Sequence, residues 1–315
     1  MLLQILTLLA PYSAEIAAVD EYCPAPGQFV NTLPAYEVGD DAQRMVDKCT
    51  EALAHGAGGL VTLGAWGGYI TFHFDHPVVN VPGQPDLYIR GNAVTGSSEA
   101  GIVCVSQDLN GNGLPDDPWY ELSGSADTDS TNVTYGYELT YQLTTELQDI
   151  PWSDNQGNEG WVMRNAFHTQ EYFPAWLSSP LTFSGTRLPN NAHDTSGNGS
   201  YWVLDALRQG YVDNVPNADT LANSFDIGWA VDPLTRMPVH LATIDFVRIY
   251  TALNQSAGWL GETSTEVCGA TDLHPDAVAG IHPVHNDKTI RQAYNLLGQP
   301  VRNNQLYNNQ ILIKK

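Results

Sequence analysis

Residues 108–121, Asp-Leu-Asn-Gly-Asn-Gly-Leu-Pro-Asp-Asp-Pro-Trp-Tyr-Glu, carry oxygen-bearing side chains at the spacing of a cation loop. Counted from Asp108, side-chain oxygens fall at positions 1, 3, 5 and 9: Asp108, Asn110, Asn112 and Asp116. Gly113 stands at position 6, where such a loop turns sharply, and the Leu114 carbonyl stands at position 7. Ca²⁺ takes six to eight oxygens at about 2.3–2.6 Å, and this spacing wraps them around one point. The twelfth position is Trp119 rather than a bidentate Glu, so the loop is not an EF-hand, and Asp117 or Glu121 is left to close the shell. The plainer alternative is an Asn/Gly turn between two strands, because Asn, Asp and Gly all favour turns.

Other chemistries are poorly represented. There is no G-x-S-x-G, no H-E-x-x-H and no Gly-rich Lys-Ser/Thr loop, so the usual hydrolase, zincin and phosphate-binding signatures are missing. No lysine lies between Lys48 and Lys288, which removes most scope for Schiff-base chemistry. His73-Phe74-Asp75-His76 offers metal ligands, but on a strand His73 and Asp75 share a face that His76 opposes, so a satisfied strand-end cluster is expected. A glycosidase needs two carboxylates about 5–10 Å apart. Asp154, Glu159, Asp194, Asp213, Asp226, Asp232, Glu262 and Glu266 supply candidates without singling out a pair.

A second oxygen-rich set is flanked by aromatic residues. Asp154, Asn155, Asn158 and Glu159 lie between Trp152 and Trp161, and Asn190, Asn191, Asp194 and Asn198 precede Tyr201 and Trp202. Aromatic faces beside polar donors and acceptors are what a sugar or another amphipathic ligand needs. The expected ligand-binding residues are therefore Trp152, Asp154, Asn155, Trp161, Asn191, Asp194 and Trp202. The competing reading is that large loops on a β-sandwich are polar anyway and use Trp as an anchor.

The elements that must position these groups are mostly strands. One helix is expected from an N-cap at Asp40 or Asp41 to a stop at Gly56, with Met45, Cys49 and Leu53 forming its buried stripe. Tyr69–Phe74 alternates, with Ile70, Phe72 and Phe74 on one face and Tyr69, Thr71 and His73 on the other. Further strands are expected at 87–90, 102–106, 135–143, 161–165, 181–183, 201–204 and 239–251. The gaps are filled by Gly, Pro, Asn and Asp, which suits an all-β sandwich. No period indicates a solenoid.

With 13 basic against 35 acidic residues the net charge is −22. That excludes nucleic acid as a partner, which needs Lys and Arg for its phosphates, and disfavours an anionic membrane surface. Residues 1–18 read as a clipped signal peptide, with an apolar run at 2–9 too short to span a bilayer, and no membrane span is expected elsewhere. Cys23, Cys49, Cys104 and Cys268 contain no C-x-x-C; they form either a disulfide or buried free thiols.

Several segments in order, "GGYITFHFDHPVVNVPG" (67–83), "EAGIVCVSQDLNGNGLPDDPWYELSGS" (99–125), "IPWSDNQGNEG" (150–160), "FDIGWAVD" (225–232) and "GWLGETSTEVCGATDLH" (258–274), resemble the secreted jelly-roll "cell surface proteins" of Bacteroidetes. The tail 292–315, with Tyr294, Asn295, Gly298, Gln299 and Val301, is similar to a shortened type IX secretion sorting domain. The resemblance implies an all-β, jelly-roll-type β-sandwich at 19–275 with one short N-terminal helix, a linker at 276–289 and a small C-terminal β module at 290–315. It implies a secreted or surface-displayed binding or accessory protein, with structural Ca²⁺ and a glycan or corrinoid ligand in an outer-membrane uptake system. Its partners would then include outer-membrane or secretion machinery. The alternatives are a carbohydrate-active hydrolase using an acidic pair and a structural adhesion component.

Overall fold

The computed structural model describes residues 12–143 and 147–277, together with the strand residues 293–294 and 300–301. The chain divides into two units, Met1–Ala279 and Gly280–Lys315. In the second, Ala293–Tyr294 pairs antiparallel with Pro300–Val301. The rest of the sorting-domain-like tail and most of the linker lie outside the described residues.

The first unit is an all-β sandwich, open rather than closed into a barrel. Its backbone is a six-stranded sheet in the order Ala18–Cys23, Tyr69–Val79, Thr243–Thr251, Gly101–Ser106, Trp119–Leu122 and Ala230–Val231. The central strands are β-branched and aromatic, and their alternate residues line opposite faces. One face presents Ile70, Phe72, Val103, Val105, Val247 and Ile249 to the largest core. The helix Ala42–Leu53 covers that face with Met45, Cys49 and Leu53, all buried as the i, i+4, i+8 spacing predicts. Asp41 caps the helix by accepting the Arg44 backbone N–H at 2.8 Å, and a 3₁₀ turn, Ala54–Gly56, ends it.

The opposite face presents Ile102, Cys104 and Tyr250 and packs against a four-stranded sheet in the order Leu181–Arg187, Thr134–Tyr141, Ile150–Asp154, Glu159–Val162. Trp66, Tyr137, Leu139, Tyr141 and Phe183 fill a second core there. Ring pairs of this kind add to the area that they bury, and Trp66 meets Tyr137 edge-on at 4.7 Å. Gly67, at φ +88°, leaves room for the Phe183 ring, which a Cβ would strike.

Two expectations about the chain ends and the cysteines meet the structure here. Residues 13–18, read as the end of a signal peptide, are part of the fold. The Ala17 N–H donates to the His73 carbonyl at 2.9 Å, Ile16 is fully buried, and Ala18 opens an edge strand. Removing them would take Ile16 out of the core. All four cysteines are free thiols, and burial pushes those of Cys23 and Cys268 up to about 11, so at neutral pH they are unreactive. Among the described residues no helix is long and apolar enough to cross a membrane.

Candidate functional site

The loop after Gly101–Ser106 folds around its own side chains. Asp108 accepts the backbone N–H groups of Asn112 at 3.0 Å and Gly113 at 2.8 Å. The amides of Asn110 and Asn112 each donate to one oxygen of Asp116 at 2.9 Å, and these bonds hold the Asp116 carboxyl below its ordinary range. Asn112 Oδ1 accepts the Leu114 N–H at 2.8 Å. Gly111 and Gly113 take φ +70° and +72°, a region closed to most side chains. The residues at positions 1, 3, 5 and 9 are thus tied into one hydrogen-bonded loop, in which Asn110 and Asn112 turn their amide nitrogens to Asp116. Their donor set is all hard oxygen and carries two carboxylates, which fits a calcium ion.

Of the two residues left to close the loop, the structure places only Asp117 at it. Glu121 lies on the strand Trp119–Leu122 and faces away from the loop into the space between the sheets. Its carboxylate accepts the Tyr250 hydroxyl at 2.7 Å and the Thr186 hydroxyl at 2.9 Å, and pairs with Arg236. Asp117 closes the loop instead, accepting the Leu109 N–H at 2.9 Å. Asp245, not singled out by spacing because it lies on a distant strand, accepts the Asp108 N–H at 2.8 Å. Beside it, the His73–His76 cluster is satisfied as expected. His73 Nδ1 lies 2.9 Å from Asp20, and His76 bridges Asp75 and Asp272 at 2.7 Å each.

The same turn design recurs at Asp194-Thr195-Ser196-Gly197-Asn198-Gly199. Asp194 accepts the Ser196 N–H at 2.9 Å and the Gly199 N–H at 2.7 Å, as Asp108 accepts that of Gly113 five residues on. The Asp-x-Ser-x-Asn-Gly spacing is the signal that reveals it. Asp154 does similar work in the hairpin between Ile150–Asp154 and Glu159–Val162, accepting the Asn158 N–H at 2.7 Å and the Tyr137 hydroxyl at 2.9 Å.

The expected aromatic and polar ligand residues do not form one face. Trp152 pairs with Gly160 and Trp161 with Pro151, so the two indoles leave opposite sides of the sheet. Trp152 packs on the second core with its ring over Gly160, where a Cβ would collide. Asn155 is tied to the Gly136 carbonyl at 2.9 Å. Asn191 pins three segments, donating to the carbonyls of Ser98 at 2.9 Å and Asp205 at 2.7 Å while accepting from Gln255 at 2.5 Å. Trp202 covers Gly258 and donates to the Gly199 carbonyl at 3.2 Å. Six of the seven are therefore committed to holding the fold.

Trp161 is the exception, 57% exposed on the outer face of the four-stranded sheet. Cross-strand register sets Gln142, Pro151 and Trp161 in one row and Thr182, Thr140, Ser153 and Glu159 in the next. Thr140, Gln142, Ser153, Glu159 and Trp161 line a shallow hollow of about 240 Å³. Glu159 is the one carboxylate in that lining.

Two buried acids, Asp213 and Glu266, and the half-buried Glu99 form a further group. Glu99, Asp213 and Glu266 bring carboxylate oxygens within 4.8 Å of one another. Asp213, at φ +57°, accepts the N–H groups of Asn92, Ala93 and Glu266 at 2.6–2.9 Å. Glu266 accepts the Thr62 hydroxyl at 2.9 Å. A cation could bridge such a triad, but the Asp213 oxygens are largely committed to backbone donors, and proton sharing explains the group better. Burial pushes Asp213 up to about 7 and Glu266 up to about 8, and burial with the neighbouring charges raises Glu99 well above its ordinary range. Asp213, with three N–H donors, is the member suited to carry charge. Glu262, buried separately, accepts the Gln28 N–H at 2.7 Å on one oxygen while the other has no partner, and burial pushes it up to about 8. Glu99 escaped the sequence reading because residues 99, 213 and 266 meet only through the fold.

No protein-family model matches the chain, and no curated protein sequence matches it.

Proposed function

We propose that the protein is a calcium-stabilised glycan-binding protein of the cell exterior, with its ligand face on the outer side of the four-stranded sheet. The observation that carries this reading is the exposed Trp161 ring set beside rows of Thr, Ser, Gln and Glu side chains on a flat sheet surface. A pyranose offers an apolar face to an indole and hydroxyls to such neighbours. The shallow hollow suits part of a saccharide chain. A corrinoid, larger than a drug-sized ligand, would need more than the roughly 300–1,000 Å³ of an ordinary pocket. With Glu159 as the one acid lining the hollow, the paired carboxylates of a glycosidase are not supplied there.

Calcium belongs to this reading as a structural ion in the 108–117 loop. Export and display rest on the resemblance of the chain to secreted surface proteins and of its tail to a sorting domain, and the acidic balance of the chain suits that setting.

Affinity electrophoresis through gels containing individual polysaccharides tests the site. At least one polysaccharide should retard the wild type, and Trp161→Ala should weaken that retardation several-fold to about tenfold, taking aromatic stacking as worth about 0.5–1.5 kcal/mol beyond area burial. Undiminished retardation of Trp161→Ala would move the site elsewhere.

A further inference from the structure

A second cavity, of about 350 Å³, opens between the two sheets and is independent of the Trp161 face. Its floor is a cross-strand row on the six-stranded sheet, Arg248 beside Cys104 and Cys104 beside Glu121, with Trp119 and Tyr250 next to it. Ser184 and two glycines, Gly136 and Gly185, form the opposite wall, and Leu234, 70% exposed, overhangs the mouth. The glycines keep the space open. A Cβ on Gly136 would meet Leu234 at 3.3 Å, and one on Gly185 would meet the Tyr250 ring at 3.1 Å.

The charges in this cavity are unequally satisfied. Glu121 is fully engaged by Tyr250, Thr186 and Arg236. Arg248 donates from Nε to Thr71 at 2.9 Å and from Nη2 to Glu21 at 2.5 Å, which leaves Nη1 without an acceptor among the described residues. Its guanidinium is held between two rings, 4.1 Å from the Trp119 centroid and 4.5 Å from that of Tyr69. That clamp fixes its plane and orientation before any ligand arrives, so little side-chain entropy remains to be lost. Leu234, Pro233 and Tyr250 supply apolar surface.

We propose that this inter-sheet cavity binds a small carboxylate, with Arg248 Nη1 donating to the carboxyl group and the body of the ligand lying under Leu234. Charge-assisted hydrogen bonds of guanidinium to carboxylate are about twice as strong as neutral ones. The acidic chain as a whole repels anions, so the selectivity is local: one preset cationic donor in a half-enclosed site. The carboxylate could be that of an acidic sugar or of a simple organic acid, and the two are separable.

The test is titration of the full chain with benzoate and with glucuronate, followed by ¹H–¹⁵N NMR, against benzyl alcohol and glucose as uncharged counterparts. Benzoate, glucuronate or both should shift resonances around Arg248 and Gly185 saturably, with the uncharged partner about tenfold weaker or undetectable. Which acid binds identifies the source. Leu234→Asp puts a negative charge at the exposed mouth and should weaken the shifts at least about tenfold while leaving the melting temperature unchanged; Arg248→Lys, which keeps the charge but loses the fork, should weaken binding. Equal binding of the neutral compounds, binding undiminished by Leu234→Asp, or no saturable shift with either acid would overturn the proposal.

Discussion

The melting temperature of the protein should fall as the pH rises from about 6 to about 9, by roughly 10 °C. The cause is the group of buried carboxyls. Asp213 is pushed up to about 7, and Glu262 and Glu266 each up to about 8, all by burial first. In the unfolded chain these groups ionise near pH 4. Between that value and their folded values the native state binds more protons than the unfolded state, so stability declines as pH rises through this window and levels off above it. The three together are worth a few kcal/mol, against a total stability of about 5–15 kcal/mol. At the acid end the sign reverses. Asp116, Asp154 and Asp194 are held below their ordinary values, so what they contribute is lost as pH falls below the unfolded range. Maximum stability should therefore lie at about pH 4, where the unfolded carboxyls ionise. Glu262→Gln keeps the shape of the side chain and removes its titration. It should flatten the alkaline limb and raise the melting temperature at pH 9 relative to the wild type. A wild-type melting temperature as high at pH 9 as at pH 6 would mean that these carboxyls are not buried as described.

Calcium should raise the melting temperature by about 5–10 °C at a hundredfold excess over its dissociation constant, because an ion bound only by the native state stabilises it by mass action, about 2.7 kcal/mol at that ratio. Asp108→Ala should remove this calcium-dependent rise. It should also cost about 1 kcal/mol in chelator, since the carboxylate accepts two backbone N–H groups there. Asp194→Ala, at the matching turn, removes similar backbone bonds and serves as the control for turn loss alone. Equal losses for Asp108→Ala with and without calcium would reduce the 108–117 loop to a turn held by its own side chains.

Much of the fold was legible because its signals are local. Alternation in Tyr69–Phe74, the Met45–Cys49–Leu53 stripe and the Asp41 cap each depend on residues within a few positions, and each is found as read. The turn at 108–117 was legible for the same reason, since the residues that hydrogen-bond within it are contiguous. What failed was long-range. Glu121 sits thirteen residues after Asp108, but the strand that begins at Trp119 turns its carboxylate toward Thr186 and Tyr250. Trp152 and Trp161 look like a pair in sequence, yet the hairpin register sends them to opposite faces. A one-residue difference in pairing decides which side a strand residue takes, and composition cannot show it. The Glu99–Asp213–Glu266 group and the Arg248 cavity are assembled across more than a hundred residues and carry no local signature. The pinning by Asn191 is likewise visible only once Ser98, Asp205 and Gln255 are in place.

The central claim, a glycan face at Trp161, is tested most directly by the indole N–H resonances. The chain has eight tryptophans, and Trp161→Phe assigns the one that matters. On titration with the retarding polysaccharide's oligosaccharide in the presence of calcium, the Trp161 indole signal should move saturably while those of Trp66, Trp152 and Trp202 stay in place. Movement centred on Trp202 or Trp259, with Trp161 unaffected, would contradict the assignment of the outer sheet face as the binding site.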